Sequence, residues 1–241
     1  MNINEKIKAK MHHIGSEGPI VIGFLGDSVT QGCFDFYITE KGEVETVFDS
    51  ANAYCQKLRE MLSLVYPKVQ FSVINAGISG DSAAGGLERI DRDLISYKPD
   101  LAVLSFGFND CGNGKEGLRK YLDALGGMFI KLNEAKIETI FMTPNMMCRR
   151  YKNSYNQAVL SAVAERTAGI QNSGILDLYL EEAKKKAKEN GIRICDCYSI
   201  WKKLDENGAD ITLLLANKIN HPTREMQNFF AQELFRTILF S

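Results

Sequence analysis

The sequence predicts an α/β fold in which a central five-stranded parallel sheet is covered by helices on both faces. Short apolar runs rich in β-branched residues alternate with longer stretches whose apolar residues have helical spacing. The short runs are almost continuously apolar, which is typical of strands that are buried on both faces. With 241 residues, the chain can bury a large core without disulfides or metals.

Five apolar segments are predicted to be strands of this sheet. They are "PIVIGFLG" (19–26), "VQFSVINAG" (69–77), "DLAVLSFG" (100–107), "IETIFMTP" (137–144) and "GIRICD" (191–196). Between and after them, helical spacing predicts helices over 52–67, 82–99, 117–135, 153–171, 173–189 and 222–240. The last of these helices is expected to carry Pro222 in its first turn.

We expect one domain over residues 1–241, because no repeat, low-complexity tract or linker interrupts the alternation. Residues 1–18 form an N-terminal extension in this interpretation. Residues 33–49, "CFDFYITEKGEVETVFD", do not fit the alternation and are interpreted as an insertion near the active site. The segment fits equally well a hairpin that walls a binding site and a plain surface excursion.

Composition and charge exclude several classes of function. The formal net charge of −1 provides no field that would attract nucleic acid or an anionic membrane. No apolar run approaches the length of about 18 residues that a membrane span needs, and the N-terminus lacks a signal-peptide pattern. The six cysteines are mostly far apart, which favours buried free thiols in a reducing compartment. We therefore expect a cytoplasmic protein with no membrane or nucleic-acid partner.

Polar residues follow three of the predicted strands. They lie in Gly26-Asp27-Ser28, in residues 75–81 and in residues 107–110. Because the carboxyl ends of parallel strands lie at one edge of a sheet, these residues should converge there, where such sheets bind ligands. His221 comes late in the chain, directly before the last predicted helix.

Together these residues contain what acyl transfer needs: a nucleophile, a base and donors for the oxyanion. Ser28 is the candidate nucleophile and His221 the candidate base. The candidate donors are the Gly80 N–H and the Asn109 side-chain amide, with the Ser28 N–H as a third. Each segment alone is also typical of an ordinary turn, so the hypothesis depends on their joint occurrence.

Four segments, "GDSVTQG" (26–32), "NAGISGDSA" (75–83), "GFND" (107–110) and "NHP" (220–222), resemble in order the four sequence blocks of the SGNH hydrolases, also called GDSL esterases/lipases. The resemblance spans about residues 20–240. It implies a flavodoxin-like three-layer α/β/α sandwich. It also implies Ser28 as nucleophile, Gly80 and Asn109 as oxyanion donors, and His221 as base.

The sequence departs from the family pattern next to the histidine. The family usually has an Asp three residues before it, and this chain has Lys218. The imidazole is then held by Asn217, by a backbone carbonyl, or by Asp205 or Asp210 from the preceding loop. The remaining alternative is a simple Ser–His dyad.

The function expected from these observations is a serine esterase that acts on a small-acyl ester, with a sugar O-acetyl ester as the expected substrate. No cofactor and no metal is predicted, although Asp27, Asp81 and Asp110 with His221 form an alternative candidate metal site at the same edge. Asp27 and Asp110 are expected to hold the turns instead. An acyltransferase with the same acyl-enzyme and a non-catalytic binding module on the same fold are the alternatives. The oligomeric state stays open.

Three aromatic side chains are candidates for an acyl pocket. Phe34 and Phe36 lie in the insertion, and Trp201 fits a place in the core equally well.

Overall fold

The computed structural model describes residues 2–15, 18–151 and 158–240. Within them the strands are β1 (Ile20–Gly26), β2 (Cys33–Ile38), β3 (Val44–Phe48), β4 (Phe71–Gly77), β5 (Leu101–Ser105), β6 (Glu138–Met142) and β7 (Arg193–Cys195). Five of them form a parallel sheet in the order β4-β1-β5-β6-β7. All five predicted strands are confirmed, and so is the parallel α/β architecture.

The strand order defines where this sheet should bind a ligand. The chain runs from β1 to β4 on one side and then to β5 on the other side of β1, so the order reverses between β1 and β5. In open parallel sheets a crevice forms at such a switch point, outside the carboxyl ends of the strands. Gly26 and Ser105 are paired at those ends, which places the residues that follow them at the crevice.

Helices cover both faces of the sheet. They are α1 (Ile3–His12), α2 (Ser28–Gln31), α3 (Tyr54–Val65), α4 (Ala83–Asp93), α5 (Phe108–Cys111), α6 (Leu118–Glu134), α7 (Ala158–Asn172), α8 (Ile175–Glu189), α9 (Cys197–Glu206) and α10 (Gln227–Phe240). No helix of the described ranges is long and apolar enough to cross a membrane.

All six cysteines are free thiols with buried side chains.

Two predicted helix boundaries are wrong. The last helix begins at Gln227 and not at Pro222, because Pro222 pairs with Leu215 in an antiparallel bridge. The helix predicted over 82–99 ends at Asp93, and a separate 3-10 turn follows. Of the helix predicted over 153–171, residues 153–157 lie outside the described residues.

The N-terminal segment is part of the core. Ile3 and Ile7 on α1 are buried, and the Ile3 N–H donates to Glu138 Oε2 at 2.7 Å. Lys6 forms an ion pair with Asp100. Asp100 precedes β5 and Glu138 begins β6, so α1 covers the amino edge of the sheet, opposite the crevice.

Residues 33–49 form a hairpin. Strands β2 and β3 pair antiparallel in a separate two-stranded sheet. The hairpin directly follows α2, so it stands beside the carboxyl edge of the main sheet.

The close contact between β4 and α2 gives a test of this packing. A Cβ at Gly77 would lie 2.2 Å from the backbone nitrogen of Gln31. We expect Gly77→Ala to lower the free energy of unfolding by about 1–3 kcal/mol, because backbone must move to admit the methyl group. Gly169→Ala is the control, since its Cβ would meet no atom of the described residues within 4 Å and alanine favours the helix by roughly 0.5–1 kcal/mol. Urea unfolding of both variants measures this, and similar midpoints would contradict the packing.

Candidate active site

Ser28 and His221 meet at the carboxyl edge of the sheet. Ser28 Oγ lies 2.9 Å from His221 Nε2, although the two residues are 193 positions apart in the chain. Ser28 begins α2, directly after β1, and both side chains are almost entirely buried, at 6% and 5% exposed. A serine hydroxyl hydrogen-bonded to an imidazole is the pairing expected of an activated nucleophile.

The turn that presents Ser28 is fixed by its neighbours. Asp27 caps α2, and its Oδ1 accepts a hydrogen bond from the Val29 N–H at 3.0 Å. A Cβ at Gly26 would lie 2.2 Å from Thr30 Oγ1 and 2.8 Å from the Ser105 carbonyl oxygen. The strand therefore ends in glycine because the turn leaves no room for a side chain.

The other ring nitrogen of His221 faces a backbone carbonyl. Nδ1 lies 3.2 Å from the carbonyl oxygen of Phe34, in the hairpin. A carbonyl oxygen can only accept a hydrogen bond, so the proton must be on Nδ1. Nε2 is then left as the acceptor for the Ser28 hydroxyl, which is the tautomer that a general base requires.

The carboxylates considered from the sequence are engaged elsewhere. Asp205 forms an ion pair with Arg149, and Asp210 accepts from the Thr212 N–H at 3.0 Å. Asn217 does not hold the imidazole in this arrangement. Its Oδ1 accepts from the backbone N–H groups of Ile219, Asn220 and His221, which shapes the loop that carries the histidine. Among the alternatives from the sequence, the backbone carbonyl is therefore the one that the geometry matches.

Burial lowers the pKa of His221 to about 4. The hydrogen bond to the Phe34 carbonyl and the charge of Asp35 oppose this shift only in part. The imidazole is consequently neutral at neutral pH and able to accept a proton.

The candidate oxyanion donors lie on the two neighbouring loops. Gly80 is exposed and has a φ of 78°, a left-handed conformation that favours glycine. Asn109 Nδ2 donates to the Asp81 carbonyl at 2.7 Å. An amide group has two donor hydrogens, so one remains for a second acceptor. Gln31 Oε1 accepts from the Ser79 N–H at 2.6 Å, which ties the Gly80 loop to α2.

Arg89, on α4, joins these loops and was not singled out from the sequence. Its guanidinium donates to the carbonyl oxygens of Gly26 at 3.0 Å and Ala76 at 2.6 Å, the ends of β1 and β4. It also forms a 2.7 Å ion pair with Asp81. The side chain is only 8% exposed. The signal was available, because Arg89 is a charged residue on the face that Gly86 and Ile90 place against the core.

Asp27 and Asp110 are buried, and burial is the main cause that raises their pKa values, to about 7 and about 6. Asp110 Oδ1 accepts from the Ala83 N–H at 3.0 Å, which links α5 to the start of α4. Both carboxylates contact backbone N–H groups, as a role in holding the turns requires.

The described residues contain no group of three or more His, Cys, Asp or Glu side chains arranged to hold a metal.

A model of the GDSL-like Lipase/Acylhydrolase family matches residues 24–228. The chain belongs to this family. The expected family and fold are thereby confirmed, while the roles of the site residues stay predictions.

Relatives of this GDSL-like protein include esterases. An acetylxylan esterase of Geobacillus stearothermophilus is 33% identical over 88 residues, which are 36% of this chain and 38% of that protein. Esterase TesA of Pseudomonas aeruginosa is 50% identical over 40 residues, which are 17% of this chain and 20% of that protein. The matched regions thus span less than two fifths of either relative.

Solved structures share the fold over nearly the whole chain. The acetylxylan esterase Axe2 of Geobacillus stearothermophilus has a TM-score of 0.66 at 22% identity, covering 92% of this chain and 94% of that one. A two-domain esterase active on acetylated mannans has a TM-score of 0.64 at 18% identity, covering 97% of this chain and 52% of that one. At these identities the likeness extends to the fold alone.

The place of the missing family aspartate gives a test of the histidine geometry. Lys218 has a φ of 55°, and its Nζ lies 3.4 Å from the Leu213 carbonyl oxygen. Because Nδ1 of His221 already has an acceptor, we expect Lys218→Asp to change the ester-hydrolysis kcat by less than about threefold, as for other charge changes at positions that water reaches. Lys218→Ala is the matched control. A gain of tenfold or more specific to the aspartate would show that the imidazole lacks a partner in the native chain.

Proposed function

We propose that this protein is a serine esterase that hydrolyses small-acyl esters, with an acetyl ester of a sugar hydroxyl as its substrate. The observation that carries the proposal is the 2.9 Å hydrogen bond between Ser28 and an imidazole whose tautomer is set by the Phe34 carbonyl. The family supports the same reaction class.

In the acylation step, Ser28 Oγ attacks the ester carbonyl carbon while His221 Nε2 takes the hydroxyl proton. The Gly80 N–H, the Asn109 amide and the Ser28 N–H donate to the oxyanion of the tetrahedral intermediate. His221 then returns the proton to the leaving alcohol oxygen. The carbon–oxygen bond of the ester breaks, and the acyl group remains on Ser28.

Deacylation repeats the sequence with water as nucleophile. His221 Nε2 takes a proton from water, and the hydroxide attacks the acyl carbonyl carbon. Ser28 Oγ leaves and regains the proton from the imidazolium. The carboxylic acid is released, and the enzyme returns to its starting state.

The preference for a small acyl group is supported by the surroundings of the pair. Ser28 and His221 are nearly buried, and the half-buried ring of Phe36 lies 6.0 Å from the imidazole between ring centroids. The hairpin therefore limits the space beside the base. The names of the relatives, acetylxylan esterase and an esterase active on acetylated mannans, support a sugar as the alcohol part.

Hydrolysis of p-nitrophenyl esters from acetyl to octanoyl tests the reaction and its size limit. We expect kcat/KM to fall with chain length, because the hairpin restricts the acyl side. Ser28→Ala should lower kcat at least about 10⁴-fold, as removal of a serine nucleophile does in other hydrolases, with an unchanged melting temperature. Acetate release from acetylated xylo-oligosaccharides tests the sugar. Undiminished turnover in Ser28→Ala would refute the proposal.

The pH dependence follows from the buried imidazole. The reaction needs neutral His221, whose pKa is lowered to about 4 by burial. Because protonation removes the base, the acid limb of kcat/KM for p-nitrophenyl acetate that His221 causes should lie near pH 4. Asp27 and Asp110, whose pKa values are raised to about 7 and about 6, titrate at higher pH, so the pKa of the His221 imidazole is also followed by NMR. An imidazole pKa near the ordinary histidine value of about 6.5 would contradict the burial of the base in the free enzyme.

A further inference from the structure

The hairpin contains an irregularity at the point where it meets His221. Cys33 pairs with Phe48, and Phe36 pairs with Thr46. Between these two pairs the chain therefore advances three residues along β2 but only two residues along β3. The extra residue falls within Phe34–Asp35, which is the pattern of a β-bulge.

A bulge changes where backbone groups point. In a regular ladder, strand carbonyls are directed at the partner strand or away from it. The bulge interrupts this pattern, and the Phe34 carbonyl is directed at His221 Nδ1, 3.2 Å away. Bulges often occur beside active sites because they redirect single groups in this way.

Arg224 connects the bulge to the histidine segment. It lies three residues after His221, and its guanidinium carbon lies 4.4 Å from the centroid of the Phe34 ring. Its Nε donates to Asp49 Oδ2 at 2.6 Å. The Asp49 N–H in turn donates to the Gly32 carbonyl at 2.8 Å, at the base of the hairpin. Arg224 thus holds the segment that carries the His221 imidazole against the hairpin that carries the Phe34 carbonyl.

We propose that the Phe34 backbone carbonyl, redirected by the bulge and held by Arg224, takes the place of the missing triad carboxylate, with Phe34 and Arg224 as positioning residues for His221. The proposal rests on the proposed function for the roles of Ser28 and His221. It assigns a catalytic purpose to residues 33–49, beyond walling the site. The Phe34 carbonyl fixes the imidazole tautomer before the reaction and accepts the imidazolium N–H during it.

Asp35 is the competing acceptor, because it is the carboxylate nearest in sequence to the Phe34 carbonyl. Its side chain is exposed, and its Oδ1 accepts from the Phe36 N–H at 2.8 Å. A carboxylate engaged at the surface does not hold the imidazole, although its charge acts on His221. The experiment must therefore separate the Asp35 side chain from the Phe34 carbonyl.

Two proteins that differ in one backbone atom make this separation. The first is Asp35→Ala. The second carries lactic acid at position 35, which has the same side chain but turns the Phe34 carbonyl into an ester carbonyl, a weaker acceptor. Both are assayed with p-nitrophenyl acetate. We expect Asp35→Ala to keep kcat within about threefold and the lactic acid protein to lose a further roughly 3–10-fold in kcat, as expected for one weakened hydrogen bond. KM should change little.

Two results would overturn the proposal. Equal kcat values for the two proteins would show that the Phe34 carbonyl contributes nothing. A loss of several decades in Asp35→Ala would show that the carboxylate is the orienting group.

Arg224 is tested by Arg224→Lys, which keeps the charge near Asp49 but loses the planar group over Phe34. We expect kcat to fall several-fold with KM nearly unchanged. Arg119→Lys is the matched control, because Arg119 is 93% exposed in an ion pair on α6. Equal kcat in Arg224→Lys and the wild type would remove Arg224 from the proposal.

A spectroscopic readout keeps this inference separate from the proposed function. Substitution of His12 and His13 by Gln leaves His221 as the only histidine. A ¹⁵N–¹H spectrum of its imidazole should show a proton on Nδ1 and none on Nε2 at neutral pH. In the lactic acid protein, this Nδ1–H signal should weaken because the proton exchanges faster with water. If no ester is hydrolysed, the proposed function fails. A proton on Nε2 in this spectrum would overturn the orienting role whether or not esters are hydrolysed.

Discussion

The hydrogen bonds of the Arg89 guanidinium are the contacts on which the geometry of the site depends. They join carbonyls at the carboxyl ends of two neighbouring strands, those of Gly26 and Ala76, to the carboxylate of Asp81. Ser28 stands two residues after the first carbonyl, and Gly80 stands next to Asp81. This buried cation therefore holds the turn of Ser28, the proposed nucleophile, against the loop of Gly80, a proposed oxyanion donor. Removing it would leave buried acceptors and a carboxylate without their partner, which costs more than an exposed ion pair contributes.

His221, the proposed base, is almost entirely buried. A carboxylate beside the imidazole would favour the imidazolium strongly, whereas the Phe34 carbonyl is a neutral acceptor and favours it weakly. Burial then dominates and lowers the pKa of His221 to about 4. In the proposed mechanism, His221 is then a neutral and oriented proton acceptor at physiological pH, with low basicity.

The sequence predicted the sheet because parallel strands buried on both faces are continuously apolar, as in Leu101–Ser105. It predicted the meeting of Ser28, Gly80 and Asn109 at one edge because parallel strands share a carboxyl end. It could not predict the Phe34 contact, since a backbone carbonyl leaves no mark in residue identity and a bulge depends on the register between two strands. The start of the last helix was misplaced because Pro222 suits a helix start and a bridge equally well.

The most direct test of the account is the identity of the acylated residue. The protein is mixed with p-nitrophenyl acetate, quenched in acid during the burst, digested and analysed by mass spectrometry. The account predicts one acetyl group on Ser28, absent from Ser28→Ala and strongly reduced in His221→Ala. Turnover by the wild type with the acetyl group on another residue, or with equal labelling in His221→Ala, would contradict it.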